Sequence, residues 1–210
     1  SVRGDVLALL RRPRARRTRF YMALVAGTIT DPVRLVAYMI DHGSNAGVAA
    51  ACFTRMAALA PDPSPESVAQ LKAFVGAGGV AEVLRLMRVH SSEGPRRGKD
   101  TECVNTEYIA LADVQEQGCV LLMNLAGLAL SGDEACATAL RGDKAAAAVT
   151  GALAKYSDSV DQLEGGMMAL MQLATLDLSG CLAAGLPEAA VASLESPHAG
   201  GWLHFLGART

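Results

Sequence analysis

Two segments of thirteen residues repeat each other along the chain, and this repetition restricts the fold more than any other feature. VQEQGCVLLMNLA at 114–126 and QLEGGMMALMQLA at 162–174 share Glu, Gly, Leu, Met, Leu and Ala at matching positions, 48 residues apart. A third segment, VAAACFTRMAALA at 48–60, keeps the apolar spacing and the closing Leu-Ala. A period of about 40 to 50 residues is typical of stacked helical repeats, because each unit buries its apolar face on the next one.

Composition favours helices throughout. Hydrophobic residues make up 51% of the 210 residues and aromatic residues only 4%, while Ala and Leu are abundant. Closely packed helices suit this balance, whereas a β-sandwich is richer in Val, Ile, Tyr and Trp. We therefore expect an all-α chain that forms one large domain or one elongated array.

A shorter helix that follows a glycine is predicted ahead of each long one, and also near the end of the chain. Four glycines precede such helices: Gly27, Gly79, Gly142 and Gly185. In the first two of these helices the apolar residues recur at i, i+3, i+4 and i+7, which predicts one buried stripe on each helix. The stripes consist of Val33, Val36, Ala37 and Ile40 and of Val80, Val83, Leu84 and Met87.

A third kind of helix, also short and apolar, precedes the glycines. In SPESVAQLKAFVGAGG, residues 64–79, Ser64 is expected to be the N-cap and Pro65 to stand in the first turn. The closing GAGG is interpreted as a turn between helices, because a phosphate-binding glycine loop follows a strand. The predicted unit is a short helix, a glycine turn, a second helix, a loop and a long third helix.

This arrangement resembles the armadillo repeat. FVGAGGVAEVLRLM at 74–87 and VQEQGCVLLMNLA at 114–126 look like the two halves of one such repeat. The resemblance covers residues 20–208 and implies a right-handed α-solenoid of about four three-helix units with irregular ends. Gly118 and Gly166 stand where the family has alanine, which costs about 1 kcal/mol of helix stability each unless a neighbour needs the space.

The predicted organisation is a basic N-terminal arm at 1–19 followed by an armadillo-like helical repeat domain at 20–210. Residues 91–112, SSEGPRRGKDTECVNTEYIALA, are predicted to be a loop inserted between the second and third helices of one unit. A mobile linker and a partner-binding loop are equally compatible with this segment.

The resemblance also implies candidate site residues on the third helices. In the armadillo family these helices line a concave groove, where an asparagine hydrogen-bonds the backbone of an extended peptide. Only Asn124 matches that position, and Gln172 and Ala58 are its equivalents in the other units. The predicted partner-binding residues are Asn124, Gln172, Val120, Met168, Thr54 and Trp202. Two alternatives stay open: Asn124 joins neighbouring helices instead, or the Met- and Val-lined face accepts an apolar partner helix.

Positive charge is concentrated at the N-terminus. Seven arginines against one aspartate give residues 1–19 a charge of +6, so the remaining residues carry −8 of the total of −2. Such an arm is typical of a contact with nucleic acid, of an import signal, of a basic segment that binds an acidic partner, or of a solvated terminal run. The arginines of the basic arm are Arg11, Arg12, Arg14, Arg16, Arg17 and Arg19.

Cysteine usage favours an intracellular protein. Five cysteines at wide spacing fit reduced thiols better than a disulfide framework, and no C-x-x-C or H-x₃-H pair indicates a zinc site. We expect a cytoplasmic protein, with the nucleus or an organelle left open. No apolar stretch reaches the ~18 to 20 residues that span a membrane.

The sequence favours a non-catalytic protein. LSGDE at 130–134 and DLSGC at 177–181 lack the second glycine and the strand of a nucleophile elbow. The predicted function is a scaffold that binds a protein or peptide partner, or a subunit of a larger assembly, with no cofactor or metal. The alternative is a nucleic-acid-associated protein that uses its arginine-rich arm.

Overall fold

The computed structural model describes residues 28–59, 64–92, 101–156 and 160–195, without the side chains of 101–108, 143, 160 and 161. These ranges contain ten helices and no strand, which confirms the all-α prediction for this part of the chain. The helices are α1 (Pro32–His42), α2 (Ala46–Ala57), α3 (Pro65–Gly76), α4 (Gly79–Ser92), α5 (Thr101–Leu130), α6 (Glu134–Leu140), α7 (Asp143–Lys155), α8 (Val160–Leu176), α9 (Leu178–Ala183) and α10 (Leu186–Glu195).

Short polar side chains begin many of these helices. Ser64 is the N-cap of α3, where its hydroxyl accepts from the Ser67 amide, and Pro65 occupies the first turn as predicted. A side-chain oxygen at an N-cap satisfies an amide that has no carbonyl partner within the helix. The other N-caps of this kind in the described ranges are Asp31, Asn45, Asp133 and Asp177.

The contacts between helices fall into three sets. The third-type helices α2, α5 and α8 lie side by side, with α5 in contact with both of the others. The second-type helices form a parallel row in which α1 contacts α4, α4 contacts α7 and α7 contacts α10. Each long helix also packs on the second-type helix before it, so the core lies between the two rows. The short helices α3, α6 and α9 join one unit to the next.

Glycine is needed at these turns for two different physical reasons. Gly78, Gly142 and Gly185 have φ values of 84°, 96° and 84°, a region that side chains rarely adopt. Gly79 is required by packing instead, because a Cβ there would lie 2.4 Å from Cε1 of Phe74. The GAGG segment therefore joins two helices, α3 and α4, as predicted.

The stripe predicted for α1 is wrong at three of its four positions. Val33, Ala37 and Ile40 are exposed, and Val33 and Ile40 retain 55% and 60% of their accessible surface. The helix is apolar on two adjoining faces, and the face buried in the fold is formed by Leu35, Val36 and Met39. Periodicity identified an amphipathic helix but did not distinguish between two apolar faces.

The corresponding stripe on α4 is confirmed. Val80, Val83 and Met87 are buried and Leu84 is half-buried against the core. This helix contacts a second-type helix on each side, α1 and α7, and also packs on the long helix α5.

The predicted inserted loop at 91–112 is wrong over its second half. Helix α4 continues to Ser92, and α5 begins at Thr101, so residues 101–112 extend the third helix. The physical reason is the spacing of buried residues, because Leu111 precedes Val114 and Gln115 by three and four positions and continues the core face of α5. Residues 93–100 lie outside the described ranges.

The two glycines that depart from the armadillo pattern make room for the neighbouring row. A Cβ at Gly118 would lie 2.6 Å from Sδ of Met87 on α4. A Cβ at Gly166 would lie 2.6 Å from Cδ2 of Leu153 on α7. Gly118 and Gly166 are 48 residues apart, so the same packing solution recurs in two units.

Two aspartates cap short helices and also join units. Asp133 accepts from the Cys136 amide at 2.8 Å and pairs with Lys72 of α3 at 2.9 Å. Asp177 accepts from the amides of Gly180 at 3.0 Å and Gly142 at 2.9 Å. These contacts favour the charged carboxylates, so the pKa of Asp133 is lowered and that of Asp177 falls to about 2.

Stability in acid is expected to depend on Asp177. Its folded pKa of about 2 lies below the ordinary value of 3.8, so its contribution is complete above that ordinary value and is lost as pH falls through the folded pKa. Asp177→Asn should therefore flatten the dependence of the urea midpoint on pH between about 5 and 2.

Asp113→Asn is the control, because it should change the slope of the urea midpoint against pH in the opposite direction. Partial desolvation raises the pKa of the exposed Asp113, so this carboxyl binds protons more readily in the folded chain and its removal should slightly steepen the same dependence. Equal slopes in the wild type and in Asp177→Asn would contradict the role given to Asp177.

Candidate functional site

The predicted site residues lie on the outer surface of the row formed by α2, α5 and α8. Val120, Asn124, Met168 and Gln172 are half-buried, and Thr54 is exposed. We call this surface the third-helix face. Trp202 and the six arginines of the basic arm lie outside the described residues.

Asn124 joins two of the helices. Its Nδ2 donates to the carbonyl oxygen of Ala57 at 3.1 Å, and Ala57 is the last residue of α2. The last carbonyls of a helix have no partner within it, so this amide satisfies one of them. This hydrogen bond agrees with the alternative in which Asn124 joins neighbouring helices, and it engages one of the two donor hydrogens of the side chain.

Gln172 and Val120 lie at the seam between α5 and α8. The Oε1 atom of Gln172 is buried and has no hydrogen-bond partner among the described residues. A Cβ at Gly127 of α5 would lie 3.5 Å from that oxygen, and one at Gly165 of α8 would lie 3.5 Å from Cγ2 of Val120. The two helices therefore approach closely along the α5–α8 seam.

Thr54 forms a hydrogen bond within its own helix. Its hydroxyl donates to the carbonyl oxygen of Ala50, one turn earlier in α2, at 2.9 Å. A threonine that bonds to its own helix in this way offers only its remaining lone pairs and its methyl group to a partner.

The sequence analysis did not identify three residues of this face. Gly127 and Gly165 line the seam, and Met171, one turn beyond Met168 on α8, keeps 50% of its surface exposed. An unexplained glycine within a helical pattern signals a close approach of another group, so Gly127 and Gly165 were detectable in principle. No sequence pattern distinguished Met171 from the buried methionines.

One end of the face is acidic. Asp113 and Glu164 lie toward the N-terminal parts of the helix segments that form the seam, and neither has an ion pair within the described part of the chain. Partial desolvation of the carboxyl raises the pKa of Asp113, although the residue as a whole is exposed. The opposite end carries the amides of Asn124 and Gln172, so the face changes from acidic to neutral along its length.

The described thiols are poor nucleophiles. Cys52, Cys119, Cys136 and Cys181 are free and buried. Burial raises the pKa of the first three to about 12 and also raises that of Cys181. Since the thiolate is the reactive form, these cysteines act as packing groups.

The described ranges contain no cluster of three or more His, Cys, Asp or Glu side chains that could hold a metal ion. Among the helices in those ranges, none combines the length and apolarity needed to cross a membrane. No protein-family model, no curated protein and no solved structure matches the chain. The resemblance to armadillo repeats therefore stays a prediction from the sequence.

Proposed function

We propose that the chain is an armadillo-like α-solenoid that serves as an intracellular, non-catalytic scaffold and binds a protein partner through the third-helix face. One observation carries this proposal: α5 lies between α2 and α8, so the three segments that repeat in the sequence form one continuous row. A row of parallel helices with partly exposed side chains is the surface that repeat arrays offer to partners.

The side chains of the row support binding rather than catalysis. Val120, Met168 and Met171 supply apolar area, and methionine adapts to partners of different shapes. The described thiols are buried, and within the described ranges Asp113 and Glu164 belong to no cluster of three or more potential metal ligands. An extended peptide and a partner helix are both compatible with this face.

Loss of binding is the expected result of placing a charge on this face. Met168→Glu should reduce recovery of the partner about tenfold in affinity capture with quantitative mass spectrometry, because it buries a charge at the centre of the contact. Met171→Glu on the same helix is tested beside it, and Leu182→Glu on α9 is the matched control for Met171→Glu, since Met171 and Leu182 keep 50% and 52% of their surface exposed. Equal recovery with all three variants would count against the third-helix face as the binding surface.

A further inference from the structure

Two apolar stripes lie at opposite ends of the row of second-type helices. In that row α1 packs on α4, α4 on α7 and α7 on α10, so within the described ranges α1 and α10 each have one second-type neighbour. Both end helices carry exposed apolar residues at i, i+4 and i+7, the spacing of one helical face. We call these faces the outer stripe of α1, formed by Val33, Ala37 and Ile40, and the outer stripe of α10, formed by Pro187, Val191 and Leu194.

The two inner helices of the row have no such stripe. Helix α4 packs on α1 and α7, and α7 packs on α4 and α10. Among the described residues, no exposed large apolar side chain lies on α4 or α7, whereas α1 and α10 carry two each. The difference follows the number of second-type neighbours, so each outer stripe marks the place where the next second-type helix of the row would pack.

The two outer stripes cannot cover each other within one molecule. Packed helices have axes about 8–10 Å apart, so the three steps from α1 to α10 separate these helices by about 24–30 Å. Between two molecules the stripes can meet, because α10 of one copy can lie beside α1 of the next. Each end helix then gains the second neighbour that α4 and α7 already have.

We propose that copies of this chain associate end to end, with the outer stripe of α10 packed on the outer stripe of α1 of a second copy. The contact joins two different surfaces, so every copy keeps one free end and the assembly grows as an open chain or closes into a ring.

This association goes beyond the function proposed above, because it uses α1 and α10 rather than the third-helix face. It places the third-helix faces of successive copies in one assembly. A partner with several binding segments would then engage several copies at once, which raises its overall affinity without a new kind of contact.

Sedimentation velocity of the full chain over a range of concentrations tests the association. The average mass of the wild type should rise with concentration. Ile40→Glu and Val191→Glu should each lower the association constant at least about tenfold, because each places an unpaired charge in an apolar contact. Ile109→Glu on α5 is the matched control for Ile40→Glu and should associate like the wild type, since the two isoleucines are 58% and 60% exposed.

Mixing the two variants identifies which surfaces meet. Ile40→Glu keeps an intact outer stripe on α10, and Val191→Glu keeps an intact one on α1. An equimolar mixture should therefore form dimers and nothing larger, since the remaining stripe of each partner is blocked. Ile40→Glu mixed with the double variant Ile40→Glu/Val191→Glu should stay monomeric. Circular dichroism of every variant checks that the helices remain.

Four outcomes would overturn the proposal. A wild type that stays monomeric at every concentration would mean that another occupant covers the stripes, whether residues 1–27 or 196–210 of the same chain or a different protein. Association that is lost with Ile40→Glu but kept with Val191→Glu would mean that α1 pairs with α1. Equal association of the wild type and both variants, or an equal loss with Ile109→Glu, would place the contact elsewhere.

Failure of this proposal is separate from failure of the partner-binding function. Met168→Glu changes the third-helix face and leaves both outer stripes intact, so it should self-associate like the wild type while losing the partner. A variant that loses both properties together would show that one surface serves both, which contradicts the end-to-end contact.

Discussion

Replacing Phe74 with alanine is expected to lower the free energy of unfolding by about 3–5 kcal/mol, measured from urea unfolding followed by circular dichroism. Phe74 is fully buried in α3 and packs on Gly79 at the start of α4. The loss combines the transfer of a large apolar side chain with the cavity left in the core where two helices meet.

Gly79→Ala tests the same contact from the other side. The new Cβ would lie 2.4 to 2.6 Å from three atoms of the rigid Phe74 ring, which should cost about 1–3 kcal/mol. In the double variant Phe74→Ala/Gly79→Ala the added methyl group enters the vacated space, so the combined loss should be smaller than the sum of the single losses. Additive losses would show that the two residues are not in contact.

Substitution of either inward-facing glycine by valine is expected to destabilise the fold by about 3 kcal/mol. At Gly118 the added atoms meet Met87, and at Gly166 they meet Leu153, with contacts of 2.6 Å from Cβ alone. The loss should be larger at Gly166, because leucine has fewer ways to move aside than the flexible methionine. Urea unfolding measures both values.

Gly151→Val is the matched control for this pair. Gly151 lies within α7, is exposed, and would have no atom within 4 Å of an added Cβ. The same substitution there should change stability by less than about 0.5 kcal/mol. A similar loss at all three positions would mean that valine disfavours the helices in general, and the close approach between rows would then not explain Gly118 and Gly166.

The all-helical architecture of the described ranges was predictable because it depends on the spacing of apolar, capping and glycine residues over short stretches of sequence. The positions of Ser64 and Pro65 at the start of α3, and of the glycine turn before α4, follow from capping and backbone geometry within a few residues. The exposed stripe of α1 was not predictable, because Val33 and Ile40 are apolar and only the tertiary neighbours decide which face is buried.

The length of α5 was missed for a different reason. Glycine, proline and charged residues at 91–100 indicated a loop. The loop prediction then included residues 101–112, which lack these helix-breaking residues. The buried residues Leu111, Val114 and Gln115 continue the helical period, so the information was present but weaker than the breakers before it.

That the candidate residues lie on neighbouring helices was predictable, but their individual contacts were not. Matching segments placed Val120 over Met168 and Asn124 over Gln172, and these residues lie on neighbouring helices as that alignment requires. The hydrogen bond from Asn124 to Ala57 depends on where α2 ends relative to α5, which no local pattern specifies. The role of this surface in binding stays a proposal.

The central position of α5 has a kinetic consequence. This thirty-residue helix packs on α2, α4, α6, α7 and α8, so it touches helices of all three sets. A partly folded chain that lacks α5 leaves α2 and α8 without the helix that separates them, and neither can bury its apolar side on the other. We therefore expect α2 and α8 to reach their final packing only after α5 has folded between them, whichever helix forms first.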